Sequence, residues 1–135
     1  MVEMELNKII IDEKRQEQII VLREKNGHRS LPIIIGILEA TAIKMQLGGV
    51  VPPRPLTHDL MKSIIQVLGA TLERVVVDKL ENNTFHAKLY LLIDGEVRQV
   101  DARPSDSIAL AVRLKAPIFV EEEVLKKSEL FNPPQ

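Results

Sequence analysis

The sequence has no cysteine and no tryptophan, and aromatic residues make up only 3% of it. Without cysteine there is neither a disulfide framework nor a thiolate metal site. With so few rings, stacking platforms for single-stranded nucleic acid are scarce. An excess of positive charge is missing too, since 18 Lys and Arg oppose 19 Asp and Glu for a net charge of -1. Nucleic-acid binding through a broad surface usually leaves a basic signature, so any such contact here must be local. No window approaches the ~18 apolar residues that cross a bilayer. The start, Met1-Val2-Glu3-Met4-Glu5, has neither the positive end nor the apolar run of a signal peptide. These absences lead us to expect a cytoplasmic protein with no membrane contact.

What is present suits one domain spanning residues 1–135. An apolar content of 45% beside 27% charged residues is ordinary for a globular chain, and the length supports one real core. Residues 2–12 end in the β-rich run Ile9-Ile10-Ile11, Ile19 to Leu22 reads as a second strand, and Ser30 to Ile35 as a third. Lys25-Asn26-Gly27 is the turn between the last two. From Ile37 to Leu47 the residues Leu38, Ala42, Ile43, Met45 and Leu47 recur at helical spacing, and Gly48-Gly49 stops the helix. A stiff connector, Val50 to Pro55, leads to Thr57 as a predicted N-cap. A second helix follows, with Leu60, Ile64, Val67 and Leu68 as its predicted buried stripe.

The second half repeats this order. Leu72 to Asp78 aligns with Leu6 to Asp12, Phe85 to Ile93 alternates like a half-buried strand, and Asp94-Gly95 makes a hairpin turn before a strand over Val97 to Asp101. Pro104 breaks the structure, and a helix starts at Ser105 or Asp106, where either side chain can cap the free N–H groups of the first turn. That helix matches the first one, with Glu39 opposite Asp106, Ala42 opposite Ala109, and Leu47 opposite Leu114. Ala116-Pro117 ends it, Glu121 to Leu130 is a last helix, and Asn132-Pro133-Pro134 is a loose tail. The pattern reads as a duplicated three-strand, two-helix unit, about residues 2–69 and 70–131. The expected class is α+β, with one curled, barrel-like mixed sheet and helices packed on it. An exposed edge of such a sheet invites a symmetric partner, so a homodimer is expected.

The chemistry-bearing residues gather in two short stretches, Arg54 to Asp59 and Asp101 to Asp106, joined through the repeat by Glu39. Carboxylates held close can bind Mg²⁺ or Mn²⁺, which prefer oxygen ligands; Glu39, Asp101 and Asp106 are the candidates. A histidine such as His58 can move a proton, and Arg54 or Arg103 can hold a phosphate bidentately. Blander roles compete. Asp106 can be a helix cap, Arg103 can pair with Asp101 or Asp106 to brace a corner, and Thr57 and Asp59 suit the first turn of any helix. His28 and His86 carry no functional reading. No nucleophile elbow, P-loop or dinucleotide fingerprint is present.

Four separated blocks, Leu31 to Ala40, Pro53 to Leu60, Asn83 to Ala87 and Asp101 to Ala111, resemble the bifunctional nuclease domain family in order and content. The resemblance runs on to Pro117-Ile118-Phe119-Val120. It implies a compact α+β domain of duplicated βββαα units, and nuclease activity on both DNA and RNA. The family's signature positions fall on Glu39, Arg54, Thr57, His58, Asp59, Asp101, Arg103, Ser105 and Asp106. His86 stands where Tyr is common in the family, and Ser107 where Ala is common. The Asp94-Gly95 loop lacks any acidic insertion. The expected function is phosphodiester hydrolysis. Glu39, Asp101 and Asp106 would supply a metal site or base and His58 would move a proton, with Asp59 among the catalytic group. Arg54, Thr57, Arg103 and Ser105 would hold substrate. The alternative is a non-catalytic module that recognises a small anion or a partner protein through the same charged cluster.

Overall fold

The computed structural model describes residues 1–131, so the predicted tail at Asn132 to Pro134 lies outside the described residues. Two antiparallel meanders dominate it. The first is β1 (Val2–Asp12), β2 (Glu17–Glu24) and β3 (Ser30–Ile35); the second is β4 (Thr71–Glu81), β5 (Thr84–Ile93) and β6 (Glu96–Ala102). Each tight turn is explained by its residues. Asn82 and Asn83 both take left-handed φ (51° and 61°), as do Asp94 and Gly95 (49° and 79°). These are the residue types that the two-residue hairpin turn requires. Between β1 and β2, the Asp12 carboxylate accepts the backbone N–H groups of Lys14 and Arg15.

Helices α1 (Ile37–Leu47) and α2 (Thr57–Val67) follow the first meander, and α3 (Pro104–Leu114) and α4 (Glu122–Phe131) follow the second. Between α3 and α4 lies β7 (Ile118–Val120), a strand that sequence periodicity does not predict. Three residues are too few to show alternation. Yet β7 occupies the centre of the sheet, whose order is β3-β2-β1-β7-β4-β5-β6. It pairs antiparallel with β1 (Val2 with Val120) and parallel with β4 (Val75 with Ile118). The α+β class and the single continuous mixed sheet therefore stand. The sheet is open, with β3 and β6 as its edges.

One hydrophobic core joins both meanders. Ile20, Leu22, Leu31, Ile33, Val75, Val77, Ala87 and Leu89 meet Ile43 of α1, Ile108 and Leu110 of α3, and Val124 and Leu125 of α4. Helix α3 is the hub, in contact with α1, α2, β4 and β5, and eight of its eleven residues are buried. It therefore needs small side chains, which Ser107, Ala109 and Ala111 supply.

The helix starts differ from expectation. Helix α3 begins at Pro104, with Arg103 as N-cap residue, so proline sits at the first helical position where its missing N–H costs nothing. Neither Ser105 nor Asp106 caps it. Likewise Leu56, not Thr57, is the N-cap of α2, and the Asp59 carboxylate reaches back to the Leu56 N–H at 3.0 Å. The largest departure is in α2 itself. Its predicted buried stripe, Leu60, Ile64, Val67 and Leu68, faces solvent, while His58, Met61 and Ile65 turn inward. In α1 the same happens to Leu38 and Leu47, which are exposed, whereas Ala40, Ala42 and Ile43 are buried. Both helices offer two apolar faces, and contact with α3 selects one of them.

Candidate functional site

The first turns of α1, α2 and α3 converge, and each delivers one polar side chain. Helix α1 leaves the end of β3 through Gly36 and places Glu39 in its first turn. Helix α3 leaves the end of β6 and places Asp106 in its first turn, with Arg103 just outside. Arg103 spans the two acids, donating from Nε to Asp106 Oδ2 at 2.9 Å and from Nη2 to Glu39 Oε1 at 2.5 Å. The other Asp106 oxygen, Oδ1, lies 2.9 Å from Nε2 of His58, in the first turn of α2. The result is a continuous chain, Glu39–Arg103–Asp106–His58, tying three helix starts together.

Burial along the chain is graded. His58 and Glu39 are buried, while the Arg103 side chain is 65% exposed. A guanidinium has five N–H groups; two are used by the carboxylates, which leaves three for a ligand. Burial raises the pKa of Asp106, but the hydrogen bonds from Arg103 and His58 outweigh it and hold the carboxyl below the usual value. Arg103 is raised in turn by the two acids. Asp106 is therefore a fixed anion that orients its neighbours. Gly36 keeps room for this arrangement, because a Cβ there would come within 2.7 Å of Glu39 Oε2.

Beside the chain opens a cleft of about 640 Å³, lined by Arg15, Glu17, the β3 residues Pro32 to Ile35, Gly36, Asn83 to Phe85, and Arg103 to Ser105. Arg103 belongs to both the chain and the cleft. Ser105 is buried, yet it lines the cleft wall.

The remaining sequence candidates are placed elsewhere. Asp59 joins a second cluster, accepting Arg113 Nε at 2.8 Å. That bond, ahead of the one from Leu56 N–H, lowers its pKa. Arg54 and Thr57 are exposed and do not line the cleft. Asp101 is separated from Glu39 and Asp106. Its neighbour Ala102 pairs with core residue Ala87, so Asp101 pairs with Lys88 on the opposite sheet face. There Lys88 bonds Asp78, and that bond, with Asp101 adding attraction, raises the lysine pKa. Among the described residues no three His, Asp or Glu side chains gather around a common point for a metal ion. The proposed trio of Glu39, Asp101 and Asp106 does not fit one, because Arg103 sits between two members and the third is on the other face.

Sequence reasoning missed Arg113. It is buried in α3 and donates to Asp59 of α2, to Ala109 O and, at 3.1 Å, to Ala42 O of α1. An arginine inside the apolar run Ile108 to Leu114 was the available signal.

Comparison with known proteins gives this corner a context. The model of the bifunctional nuclease domain matches residues 20–133. The chain belongs to the bifunctional nuclease domain family. The match includes every member of the Glu39–Arg103–Asp106–His58 chain. An uncharacterized protein of Mycobacterium tuberculosis (strain H37Rv) is 46% identical over 125 residues, covering 93% of this chain and 74% of that protein. Bifunctional nuclease 2 of Oryza sativa subsp. japonica is 30% identical over 118 residues, and bifunctional nuclease 1 of Arabidopsis thaliana 31% over 107. This chain spans 36% and 33% of those two plant proteins.

Proposed function

We propose that the chain hydrolyses phosphodiester bonds of DNA and RNA, and that the reaction takes place where Arg103 meets the cleft. The observation that carries this reading is Arg103 itself: held from two sides by Glu39 and Asp106, exposed, and with three N–H groups free. A guanidinium fixed in this way is suited to grip two oxygens of a phosphate and to stabilise the charge that grows on them during attack. Glu39 uses Oε1 for Arg103, which leaves Oε2 to take the proton of an attacking water. The water oxygen bonds to phosphorus, the bond to the leaving sugar oxygen breaks, that oxygen takes up a proton from solvent, and Glu39 returns to solvent the proton it took. Asp106 holds Arg103 and orients His58, whose Nε2 it faces; Nδ1 is the atom through which His58 exchanges protons. Ser105 contributes a hydroxyl to the cleft wall. A cleft of this volume suits a guest of small-molecule size, so substrate enters as a short stretch around one phosphate. The matching positions of Glu39 and Asp106, each after the third strand of a meander, support reading residues 2–69 and 70–131 as repeats.

The test is hydrolysis of end-labelled single- and double-stranded DNA and RNA by purified protein, with and without Mg²⁺ or Mn²⁺. Arg103→Ala and an Asp106→Ala, His58→Ala double variant are purified in parallel. Wild type should cleave, and the variants should cleave at least about a hundredfold more slowly. Equal cleavage by all would trace the activity to contamination and sink the proposal.

A further inference from the structure

The start of α3 is part of the cleft wall, since Arg103, Pro104 and Ser105 all line it. A helix leaves its first N–H groups without partners in its own backbone. In this eleven-residue helix the first backbone bond runs from the Ser107 N–H to Arg103 O, and no side chain caps the start. Pro104 has no N–H, so the unmatched donors are those of Ser105 and Asp106. The Asp106 carboxylate does not serve them, because Oδ1 meets His58 and Oδ2 accepts from Arg103. Ser105 adds an independent observation. It is only 6% exposed, and a buried hydroxyl normally finds a partner. The buried hydroxyls of Ser107 and Ser128 do, donating to Arg103 O and Leu125 O. The Ser105 hydroxyl bonds to nothing among the described residues. It is not sealed off either, since the sealed and unbonded side-chain atoms among those residues are Arg74 Nε and Asp78 Oδ1. What surface it keeps opens to the cleft that Ser105 lines.

We infer that the start of α3 is a seat for a single phosphate group, held by the Ser105 hydroxyl and N–H with the Asp106 N–H beside them. Phosphate oxygens accept from such donors, and the positive end of the helix dipole favours their charge. The surrounding charges agree in sign. The cleft lining carries two arginines, Arg15 and Arg103, against one acid, Glu17, although the chain as a whole has a net charge of -1. Glu39 and Asp106, the acids behind the lining, are each bonded to Arg103. Helix α1 also starts at the cleft, through Gly36 and without a side-chain cap, so its positive end adds to the same field. The choice of phosphate over another oxyanion rests on the hydrolysis reading above; the donor set itself does not. Such a seat takes either a phosphate of a nucleic-acid backbone or the free ion, and competition tells the two sources apart.

The experiment titrates inorganic phosphate into isotope-labelled wild type at constant ionic strength and follows the backbone amides by NMR. Saturable shifts, largest at Ser105 and Asp106, are expected. Ser105→Ala should weaken the affinity at least about tenfold, the effect of losing one hydrogen bond to a charged group, while Asp101→Asn on the far sheet face should bind like wild type. Melting checks that Ser105→Ala stays folded, and the wild-type shifts are decisive whether or not it does. In a second arm, phosphate is added to wild type carrying a short fluorescein-labelled DNA strand, read by anisotropy. Release of the strand assigns the seat to backbone phosphates, and retention assigns it to the free ion. Absence of any saturable shift overturns the inference, as do shifts centred elsewhere, near Arg15 or Arg54 for example, or binding that a folded Ser105→Ala leaves unchanged. Hydrolysis is judged separately. A wild type that binds phosphate at Ser105 but cleaves nothing keeps the seat and sinks the proposed function; one that cleaves without a shift at Ser105 or Asp106 does the reverse.

Discussion

Replacing Arg103 by alanine tests the candidate site most directly. The substitution removes the donors to Asp106 Oδ2 and Glu39 Oε1. With the arginine side chain 65% exposed, the two ion pairs contribute little by themselves, under ~1 kcal/mol each. The larger effect falls on what remains. The Glu39 side chain is only 12% exposed and that of Asp106 25%, and a buried acceptor left unpaired costs ~1–3 kcal/mol. Asp106 keeps His58, so the main loss is at Glu39. We expect about 2 kcal/mol of destabilisation, on the order of 8 °C in Tm for a chain of this length. Hydrolysis should fall by about 10²-fold, the usual effect of losing one transition-state donor. Arg103→Lys should recover part of the stability and little of the activity, since a compact ammonium cannot bridge two carboxylates and still present a fork. Asp106 adds a pH signature. Its folded pKa lies below the ordinary value near 3.8, so its contribution is complete above that value and is lost as pH falls through the folded pKa. Without Arg103 the folded pKa rises, and acid unfolding should begin at higher pH. Urea titrations between pH 2 and 7, with oligonucleotide hydrolysis assayed well below the melting point, read all three effects. If Arg103→Ala is destabilised as expected but cleaves at the wild-type rate, the arginine is a brace and the proposed role is refuted.

Other substitutions separate the parts of the fold. Gly36→Ala keeps an ordinary backbone conformation (φ −76°) but pushes its Cβ against Glu39 Oε2. Activity should drop while melting stays nearly unchanged, because a flexible carboxylate end can move aside. Arg113→Leu strips the shared donor from Asp59, Ala109 O and Ala42 O; it should cost about 3 kcal/mol, measured by chemical denaturation. Asp101→Asn, on the far sheet face, should leave hydrolysis unchanged. Val120→Ala removes a fully buried methyl pair from the central strand and should cost about 2 kcal/mol without altering any hydrolysis by the protein that stays folded.

The candidate site was legible as residue types and only partly as a constellation. Glu39, Arg103, Asp106 and His58 were all named from sequence, and the structure brings all four together. Asp101 was grouped with them because it lies five residues before Asp106. Strand alternation sends it to the other face, and with Ala102 facing the core this was readable in principle. Arg113 was passed over because its neighbours read as a buried apolar run, where an arginine looks like a helix-end charge. Its three partners come from three helices, and no local pattern announces that.

Local sequence by itself determined six of the seven strands, the approximate helix spans and the turns. Alternation over Phe85 to Ile93 sets a strand, Gly48-Gly49 stops α1, and Asp94-Gly95 supplies the left-handed pair a hairpin needs. Each depends on backbone sterics and side-chain spacing within a few residues. Tertiary structure decided what those rules leave degenerate. Helix α2 has two apolar faces, and only packing on α3 selected His58, Met61 and Ile65 to go inward. Three residues of β7 cannot declare themselves a strand, but with β1 on one side and β4 on the other, their backbone groups found partners on both edges. Arg103 and Glu39, 64 residues apart, meet because helices leaving the ends of two meanders pack side by side, a contact that burial of the shared core enforces.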